Sequence, residues 1–448
     1  MKLGFLISDT AERQMTRVSA CYELQSQDWE HHSCRHLKVP RKGPCLPEWI
    51  SANSSLLTTS PSQEVSLCRY IPDRSRPDQD PACSPCSPPS HPQDWTLKQT
   101  LRPAPSYQAP TFDPSTLPNR MENLIDAFPK QLKEALEIGR KATLKAPGGP
   151  YANVVVTGLG GSGIGGRIAA QLMHKEAKCP IEVYNNYYLP GYVDHKSLVI
   201  ACSYSGNTEE TLAAMDQALA KGARVVVITS GGTMLETAKA KGLDHIVIPG
   251  GNPPRTMLAY SLVQQFFVLH HFGIIGDGFE DAVKTAANML AEDKEAIKKA
   301  AMDLTEKLVG KRLVIYSEAN TEAVSIRFRQ QVNENSKELC WHHAIPEMNH
   351  NELVGWAGGD KSLAVVIFRH KEDHQRTQMR MEINKSIFEK YTPNVYEVWS
   401  KGDTAIARQL YLINLGDWVS LFWAHKKGVD PSEIAVINML KGKLAEVK

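Results

Sequence analysis

Two short runs of the sequence combine glycine with hydroxyl side chains, a composition that suits phosphate binding. The run "TGLGGSGIGG" at 157–166, here called the glycine loop, and the run "CSYSGNTEET" at 202–211, the serine loop, each follow an apolar stretch and precede a helical pattern. Such a loop offers an anion unpaired backbone N–H groups and the positive end of a helix dipole, and glycine allows close approach. We therefore predict that both loops hold one terminal phosphate group of a ligand. The predicted contacts are Gly161, Ser162, Ser203, Ser205 and Thr208.

Each loop also has an alternative interpretation. The glycine loop contains the spacing G-x-G-x-x-G twice, which is typical of dinucleotide-binding turns. Those sites need an acid at the tip of the next strand, but Glu182 lies inside that strand and its tip carries Asn185 and Asn186. In the serine loop, Thr208, Thr211 and the acids between them could form a helix cap. Capping leaves the S-x-S-G run unexplained, so phosphate binding is the favoured interpretation.

The elements around these loops predict an α/β fold of doubly wound parallel sheets. From residue 152 onward, apolar runs such as "ANVVVTGL" (152–159) alternate with helical patterns at intervals of roughly 25–40 residues, the signature of strand, loop and helix repeats. A second such unit begins at "RLVIYSE" (312–318) and continues into a predicted helix over 321–337. Ligands of open α/β sheets bind outside the carboxyl ends of the strands, where both loops lie.

The first 120 residues differ from the rest of the chain. They hold 16 of the 27 prolines and 6 of the 9 cysteines and lack sustained apolar periodicity. Such composition predicts a disordered, low-complexity extension. Cys83 and Cys86 form C-x-x-C, a zinc or redox spacing, but without a second pair the solvated tail is favoured. Because Met121 opens an amphipathic helical pattern, we also hypothesise that it is the natural start.

Charge and cysteine usage restrict the partners that the chain can have. A net charge of +2 gives no argument for nucleic acid or an anionic membrane surface. No apolar run approaches the roughly 18 residues that cross a bilayer. The last 328 residues contain only Cys179, Cys202 and Cys340, without metal spacing. These features predict a cytoplasmic protein without a disulfide framework.

Three motifs together resemble one family of enzymes. The serine loop within a doubly wound unit that occurs twice resembles the sugar isomerase (SIS) domain. The runs "NPPRTMLAYS" (252–261) and "NENSKELCWHHAIPEMNHNELVGW" (333–356) resemble the bifunctional phosphoglucose/phosphomannose isomerases, whose chains contain two such flavodoxin-like domains. The resemblance covers 121–448 and implies SIS domains at 121–300 and 301–448. It implies aldose–ketose isomerisation through a cis-enediol, with no redox cofactor and no metal.

The same resemblance implies the catalytic groups. Glu334 matches the carboxylate base, with Glu338, Glu347 and Glu352 as nearby alternatives. His350 matches the histidine of ring opening, and imidazole titrates near neutrality, which suits proton transfer in both directions. His342 and His343 are its alternatives. In this family the histidine reaches the site of a neighbouring subunit, so a homodimer is implied.

Two cations complete the implied site. Arg255 follows two prolines that restrict the backbone, and it would stabilise the developing enediolate. Lys441 matches a C-terminal lysine of the family site, with Lys443 as the alternative. In the family, a small hydroxyl residue before that lysine is linked to accepting mannose 6-phosphate. Here only Ser432 is available, at an uncertain register, so the sequence leaves epimer preference open.

A different class of function is a sugar-phosphate sensor, because SIS domains also occur in regulators. A regulator of that kind would carry a basic helix-turn-helix, which residues 1–120 do not contain. It would also have no need of Glu334, His350 and Lys441 together. The enzyme is therefore the favoured interpretation.

Overall fold

The computed structural model describes residues 120–446. The Cys83–Cys86 pair and the rest of the predicted extension lie outside the described residues. Within 120–446, no helix combines the length with the apolar content that crossing a bilayer requires. The fold class is confirmed: two parallel sheets, each covered by helices, follow one another along the chain.

The first sheet has five parallel strands in the order β2-β1-β3-β4-β5. Its central strands carry valine-rich runs, such as Val154–Val156, that are completely buried because helices cover both faces. The order reverses between β1 and β3, which creates a crevice at their carboxyl ends. The strands are β1 Asn153–Thr157, β2 Ile181–Tyr184, β3 Ser197–Ser203, β4 Arg224–Thr229 and β5 Asp244–Val247.

The second sheet has four parallel strands in the order β7-β6-β8-β9. Strand β6 has the bounds of the predicted run 312–318, whereas β7 was not predicted. That strand is the polar edge of the sheet, and only Ala344 and Ile345 within it are buried. The strands are β6 Arg312–Glu318, β7 Trp341–Ile345, β8 Leu363–Arg369 and β9 Val395–Trp399.

Thirteen helices of the described chain connect and cover the strands. The pattern from Met121 predicted one helix, but the structure breaks it at Ala127 and restarts with Pro129 at the second position of α2, where the missing N–H does no harm. The helices are α1 Arg120–Asp126, α2 Phe128–Lys141, α3 Gly160–Met173, α4 Glu209–Ala220, α5 Gly232–Ala240, α6 Leu258–His271, α7 Phe279–Glu292, α8 Lys294–Leu308, α9 Glu322–Gln331, α10 Glu352–Gly355, α11 Gln375–Phe388, α12 Ala405–Lys427 and α13 Ala435–Ala445.

One apolar core joins the two sheets. Helices α2, α6, α7, α8 and α12 contribute buried side chains to it, among them Leu132, Phe266, Leu290, Leu308 and Trp418. The predicted domain boundary at residue 300 falls inside α8, and the division into 121–300 and 301–448 stays a prediction.

Helix α9 ends in a turn that is not α-helical. Its last turn widens into a π-helical turn at Val332–Ser336, here called the π-turn, which contains Glu334. Lys337 then stops the helix with a left-handed backbone, at φ 56° and ψ 40°. Single π-helical turns are often found at functional sites.

Candidate active site

The glycine and serine loops meet at the carboxyl edge of the first sheet. Strands β1 and β3 are adjacent and parallel, with Thr157 opposite Ala201, so the loops that follow them lie side by side. The hydroxyl oxygen of Ser162 accepts a hydrogen bond from the backbone N–H of Tyr204 at 3.1 Å. That bond joins the two loops directly, as the phosphate prediction requires.

The glycine loop is mostly helix. Helix α3 begins at Gly160, and Leu159 at its N-cap provides no side-chain acceptor. The N–H groups of Ser162 and Gly163 donate to the Leu159 carbonyl at 3.1 and 3.2 Å. Those of Gly160 and Gly161 are therefore the ones that the first turn leaves for a ligand. Ser162 is the third residue of this turn and is buried. A Cβ atom on Gly161 would lie 3.0 Å from the carbonyl oxygen of Pro254. Glycine at 161 therefore lets the P-P-R-T motif pack against the first turn.

The hydroxyl groups of the serine loop face one another. The side-chain oxygens of Ser203 and Thr208 are 2.8 Å apart, and Ser203 also accepts from the backbone N–H of Gly206 at 3.1 Å. Ser205 is exposed and accepts from Asn207 N–H at 3.2 Å. Thr208 occupies the N-cap position of α4, but its side chain makes no capping hydrogen bond. The capping interpretation therefore does not explain the side chain of Thr208.

The side chains that a dinucleotide would need are hydrogen-bonded to other groups of the protein. The Asn185 side chain donates to the carbonyl of Gly158 in the glycine loop, and Arg167 donates to Asn185 at 2.9 Å. Glu182, the acid of the dinucleotide pattern, accepts hydrogen bonds from the hydroxyls of Tyr184 and Tyr192, both at 3.0 Å. Glu182 therefore does not serve as a free carboxylate at the tip of β2.

Arg255 and Glu334 form a partly buried ion pair that links the two halves of the chain. Arg255 is 4% exposed, and its Nη1 lies 3.0 Å from Oε2 of Glu334. The Nε atom donates to Oδ1 of Asn335 at 2.7 Å, and Nη2 donates to the carbonyl of Pro431 at 2.5 Å. Burial lowers the pKa of Arg255, and Glu334 and Asp430 oppose that shift. The guanidinium thus fixes a carboxylate beside the P-P-R-T motif.

The π-turn is held in place by α12. Asn335 donates to the hydroxyl of Ser420 at 2.9 Å, and the Ser336 hydroxyl donates to the Ser420 carbonyl at 2.7 Å. One turn earlier, Arg327 forms a buried pair with Asp417 at 2.7 Å and donates to the carbonyl of Arg255 at 3.0 Å. Burial raises the pKa of Asp417, and Arg327 opposes the shift. These contacts restrict the position from which the Glu334 carboxylate projects.

The alternative acids have other partners. Glu338 pairs with Lys427 at 2.5 Å. Glu352 accepts from the Tyr316 hydroxyl and lies 2.7 Å from Nδ1 of His343. Of the four acids that the sequence left open, Glu334 is the one that contacts Arg255.

The alternative histidines lie on β7. His343 bonds Glu352, and His342 is half-buried, 3.8 Å from Glu322. Burial, with a smaller effect of Arg329, lowers the pKa of His342 to about 4. His342 is therefore neutral near pH 7, which makes it a poor proton donor there.

His350 and Glu334 lie on either side of β7 along the chain. Glu334 precedes the first residue of β7, Trp341, by seven positions, whereas His350 follows its last residue, Ile345, by five. Five extended residues separate their ends by roughly 13 Å, at about 3.3 Å per step. His350 is exposed at the end of a short 3-10 turn. Within the described residues, no hydrogen bond or ion pair joins His350 to Glu334.

The C-terminal helix is exposed along its whole length. Helix α13 buries none of its residues, and Val436 and Leu440 are 67% and 57% exposed. Lys441 lies on this helix without a hydrogen bond or ion pair to any residue of 120–446, whereas Lys443 pairs with Glu446 at 3.4 Å. Ser432, just before the helix, has its N–H bonded to Asp430 at 2.7 Å and follows Pro431, which contacts Arg255.

Comparisons with known proteins show the family of the chain. The bifunctional phosphoglucose/phosphomannose isomerase of Caldicellulosiruptor bescii is 39% identical over 331 residues, which are 72% of this chain and 98% of that protein. The chain belongs to the bifunctional phosphoglucose/phosphomannose isomerase family. The counterpart from Aquifex aeolicus is 36% identical over 66% of this chain and 91% of its own.

Two domain models match the chain, and a solved structure shares its fold. Residues 151–274 match the SIS domain model, and 297–444 match the C-terminal SIS domain of bacterial phospho-glucose isomerase. The C-terminal domain of glucosamine-fructose-6-phosphate aminotransferase from Francisella tularensis aligns with a TM-score of 0.57 at 14% identity, over 71% of this chain and 99% of that one. This last similarity concerns the fold alone.

Sequence reasoning missed several groups that line the candidate site. Tyr204 joins both loops and accepts, through its hydroxyl, from Asn252 N–H at 3.1 Å. Asn335 and the Pro431 carbonyl hold the Arg255 side chain. Asn335 was detectable, since it is adjacent to Glu334 in the motif. A backbone carbonyl has no residue-type signal.

Gly206 is expected to be among the least replaceable residues of the serine loop. Its φ is +69°, and a Cβ atom there would collide with the carbonyl oxygen of Gly231. We expect Gly206→Ala to lower the free energy of unfolding by about 3 kcal/mol, from backbone strain and overpacking together. Urea denaturation measures this change.

Gly160→Ala is the matched control. Gly160 also has positive φ, at +53°, but a Cβ atom there meets nothing within 4 Å. Only the strain remains, so we expect a loss of about 1 kcal/mol. Equal losses for the two variants would contradict the steric argument.

Proposed function

We propose that this chain interconverts glucose 6-phosphate, mannose 6-phosphate and fructose 6-phosphate. The observation that carries the proposal is the Glu334–Arg255 pair at 3.0 Å, beside two hydroxyl-rich loops at one sheet edge. Aldose–ketose isomerisation needs a carboxylate that moves a proton between adjacent carbons and a cation near the developing oxyanion. The pair supplies both groups in one place.

In the proposed reaction, the first turn of α3 and the serine loop bind the phosphate. Their contacts are Gly161, Ser162, Ser203, Ser205 and Thr208. The Glu334 carboxylate removes the proton from carbon 2 of the open aldose, which gives a cis-enediol, and returns it to carbon 1. Arg255 stabilises negative charge on the enediol oxygen during the transfer. No step of this scheme requires a metal or a redox cofactor.

His350 and Lys441 complete the proposed site from a distance. His350 opens the sugar ring in the site of a neighbouring subunit, which makes the working unit a homodimer. Lys441 approaches the substrate from α13, and the exposed apolar side of that helix leaves it available for packing when the site is occupied. We expect the enzyme to act in the cytoplasm, where Cys179, Cys202 and Cys340 would persist as free thiols.

Deuterium incorporation tests the proposal. The protein is incubated with fructose 6-phosphate in deuterium oxide, with a chelator and no added cofactor, and the products are followed by NMR. Glucose 6-phosphate and mannose 6-phosphate that carry deuterium at carbon 2 are the expected result. A folded protein without turnover would contradict the enzyme and favour a sugar-phosphate sensor. Glucose 6-phosphate alone would remove only the mannose activity.

A further inference from the structure

Lys337 has an unusual backbone directly beside the proposed base. Among non-glycine residues of 120–446, it is the one with positive φ, at 56°. The left-handed region is unfavourable for a residue with a Cβ atom, and glycine is the usual choice at a helix end of this kind. A lysine in this backbone conformation suggests that its side chain has a role at this position.

The ammonium group of Lys337 bridges two distant parts of the chain. Its Nζ donates to the backbone carbonyl of Glu334 and, at 3.0 Å, to the carbonyl of Glu433. A lysine that bonds the last carbonyls of its own helix is ordinary. The second acceptor is not, because it lies 96 residues further along the chain, just before α13.

Residues 430–434, here called the C-terminal segment, also accept a hydrogen bond from a second cation. Arg255 donates to the carbonyl of Pro431, and Lys337 to that of Glu433, two residues later. Lys337 is half-buried, and burial lowers its pKa, with Arg255 acting in the same direction. Removing a buried donor of this kind leaves two carbonyls without a partner.

We propose that Lys337 is a positioning residue that fastens the backbone of Glu334 to the C-terminal segment. The inference rests on the proposed function, in which Glu334 is the base. Glu334 is part of the π-turn, and Lys441 lies on the helix that comes directly after the C-terminal segment. One ammonium group therefore fixes the positions of the base and of the C-terminal helix relative to each other. Small displacements of a base can lower the rate about a hundredfold without weakening substrate binding.

Lys337→Gly is the informative variant. Glycine accepts positive φ without strain, so the variant removes the ammonium group without distorting the backbone. Lys337→Arg keeps a cation, and Lys427→Gln is the control. Lys427 lies nearby and donates to the Lys337 carbonyl at 3.2 Å. Within the described residues, its side chain makes no hydrogen bond or ion pair with Glu334 or Glu433.

Two measurements are made on each full-length variant. For Lys337→Gly we expect kcat to fall about tenfold to a hundredfold with KM within about threefold. The thermal midpoint should stay almost unchanged, because relief of the left-handed backbone strain offsets the lost hydrogen bonds. Amide hydrogen exchange across 430–440 should accelerate about tenfold, since a charge-assisted hydrogen bond is lost. Lys337→Arg should recover part of both, and Lys427→Gln should resemble the wild type.

The two measurements separate the possible failures. A Lys337→Gly protein with wild-type exchange or with kcat within twofold of wild type overturns the inference, and so does an equal loss in Lys427→Gln. A parallel fall of kcat and thermal midpoint would indicate a merely structural lysine and also overturns it. If the wild type itself does not isomerise sugar phosphates, the proposed function fails, while the exchange data still decide whether Lys337 holds the segment.

Discussion

Glu334→Gln is expected to lower kcat for fructose 6-phosphate by about a thousandfold, the usual contribution of a positioned proton-transfer group. The amide has the shape of the carboxylate but cannot accept the proton. Sugar-phosphate binding should change by less than about threefold, because the proposed phosphate contacts lie on the other sheet and bear most of the binding. Steady-state kinetics and calorimetric binding of glucose 6-phosphate measure the two effects.

The same substitution has a consequence for stability. Arg255 is almost completely buried and loses its anionic partner, although its bonds to Asn335 and Pro431 remain. An incompletely paired buried cation costs about 1–3 kcal/mol. Activity should therefore be compared well below the lowered unfolding midpoint, so that loss of turnover reflects chemistry.

Glu338→Gln is the matched control for Glu334→Gln. Glu338 is four residues away, similarly exposed, and pairs with Lys427 instead of Arg255. Its loss should leave kcat within about twofold, since exposed ion pairs contribute little. Deuterium exchange at carbon 2 should stop in Glu334→Gln and continue in Glu338→Gln. The reverse pattern, or a loss in Glu352→Gln alone, would assign the base to another carboxylate.

The sequence was most informative about elements that are buried on both faces. Strand β6 has the predicted bounds, and β1 falls within its predicted run, because a parallel strand covered by helices is a continuous apolar stretch. The convergence of the two loops was also predictable, since parallel neighbours end at the same edge.

The prediction that the glycine run is a loop was wrong for most of its length. Helix packing, as of Gly161 on Pro254, overrides the low helix propensity of glycine.

The rest of the site could not be predicted for physical reasons. Strand β7 is half-polar because it forms an edge, so period and apolarity both fail to mark it. The π-turn differs from an α-helix by one hydrogen-bond shift, which leaves no compositional trace. Arg255 is held by a carbonyl 176 residues away, and a backbone acceptor is the same in every residue type. The pairing of Glu334 with Arg255 is visible only in the folded structure.

The position of His350 makes a second strong prediction. Along the chain, β7 lies between it and Glu334, and the proposed function places this histidine in the site of a neighbouring subunit. His350→Asn and Glu334→Gln should each be almost inactive, with His350→Asn reduced about a hundredfold. When the two are co-expressed with different affinity tags, a purified mixed dimer contains one site in which both residues are intact. That dimer should recover about half of the wild-type activity, as expected for one working site of two.

The control for this complementation is a pair that cannot complement. Arg255 and Glu334 contact each other within one chain, so a mixed dimer of Arg255→Lys and Glu334→Gln has a defect in both sites. It should stay at the activity of its parents. Activity in this control, or its absence in the His350→Asn mixture, would contradict a site shared between subunits. Failure to isolate any mixed species would contradict the homodimer itself, because an isologous pair of equal chains exchanges partners during co-expression.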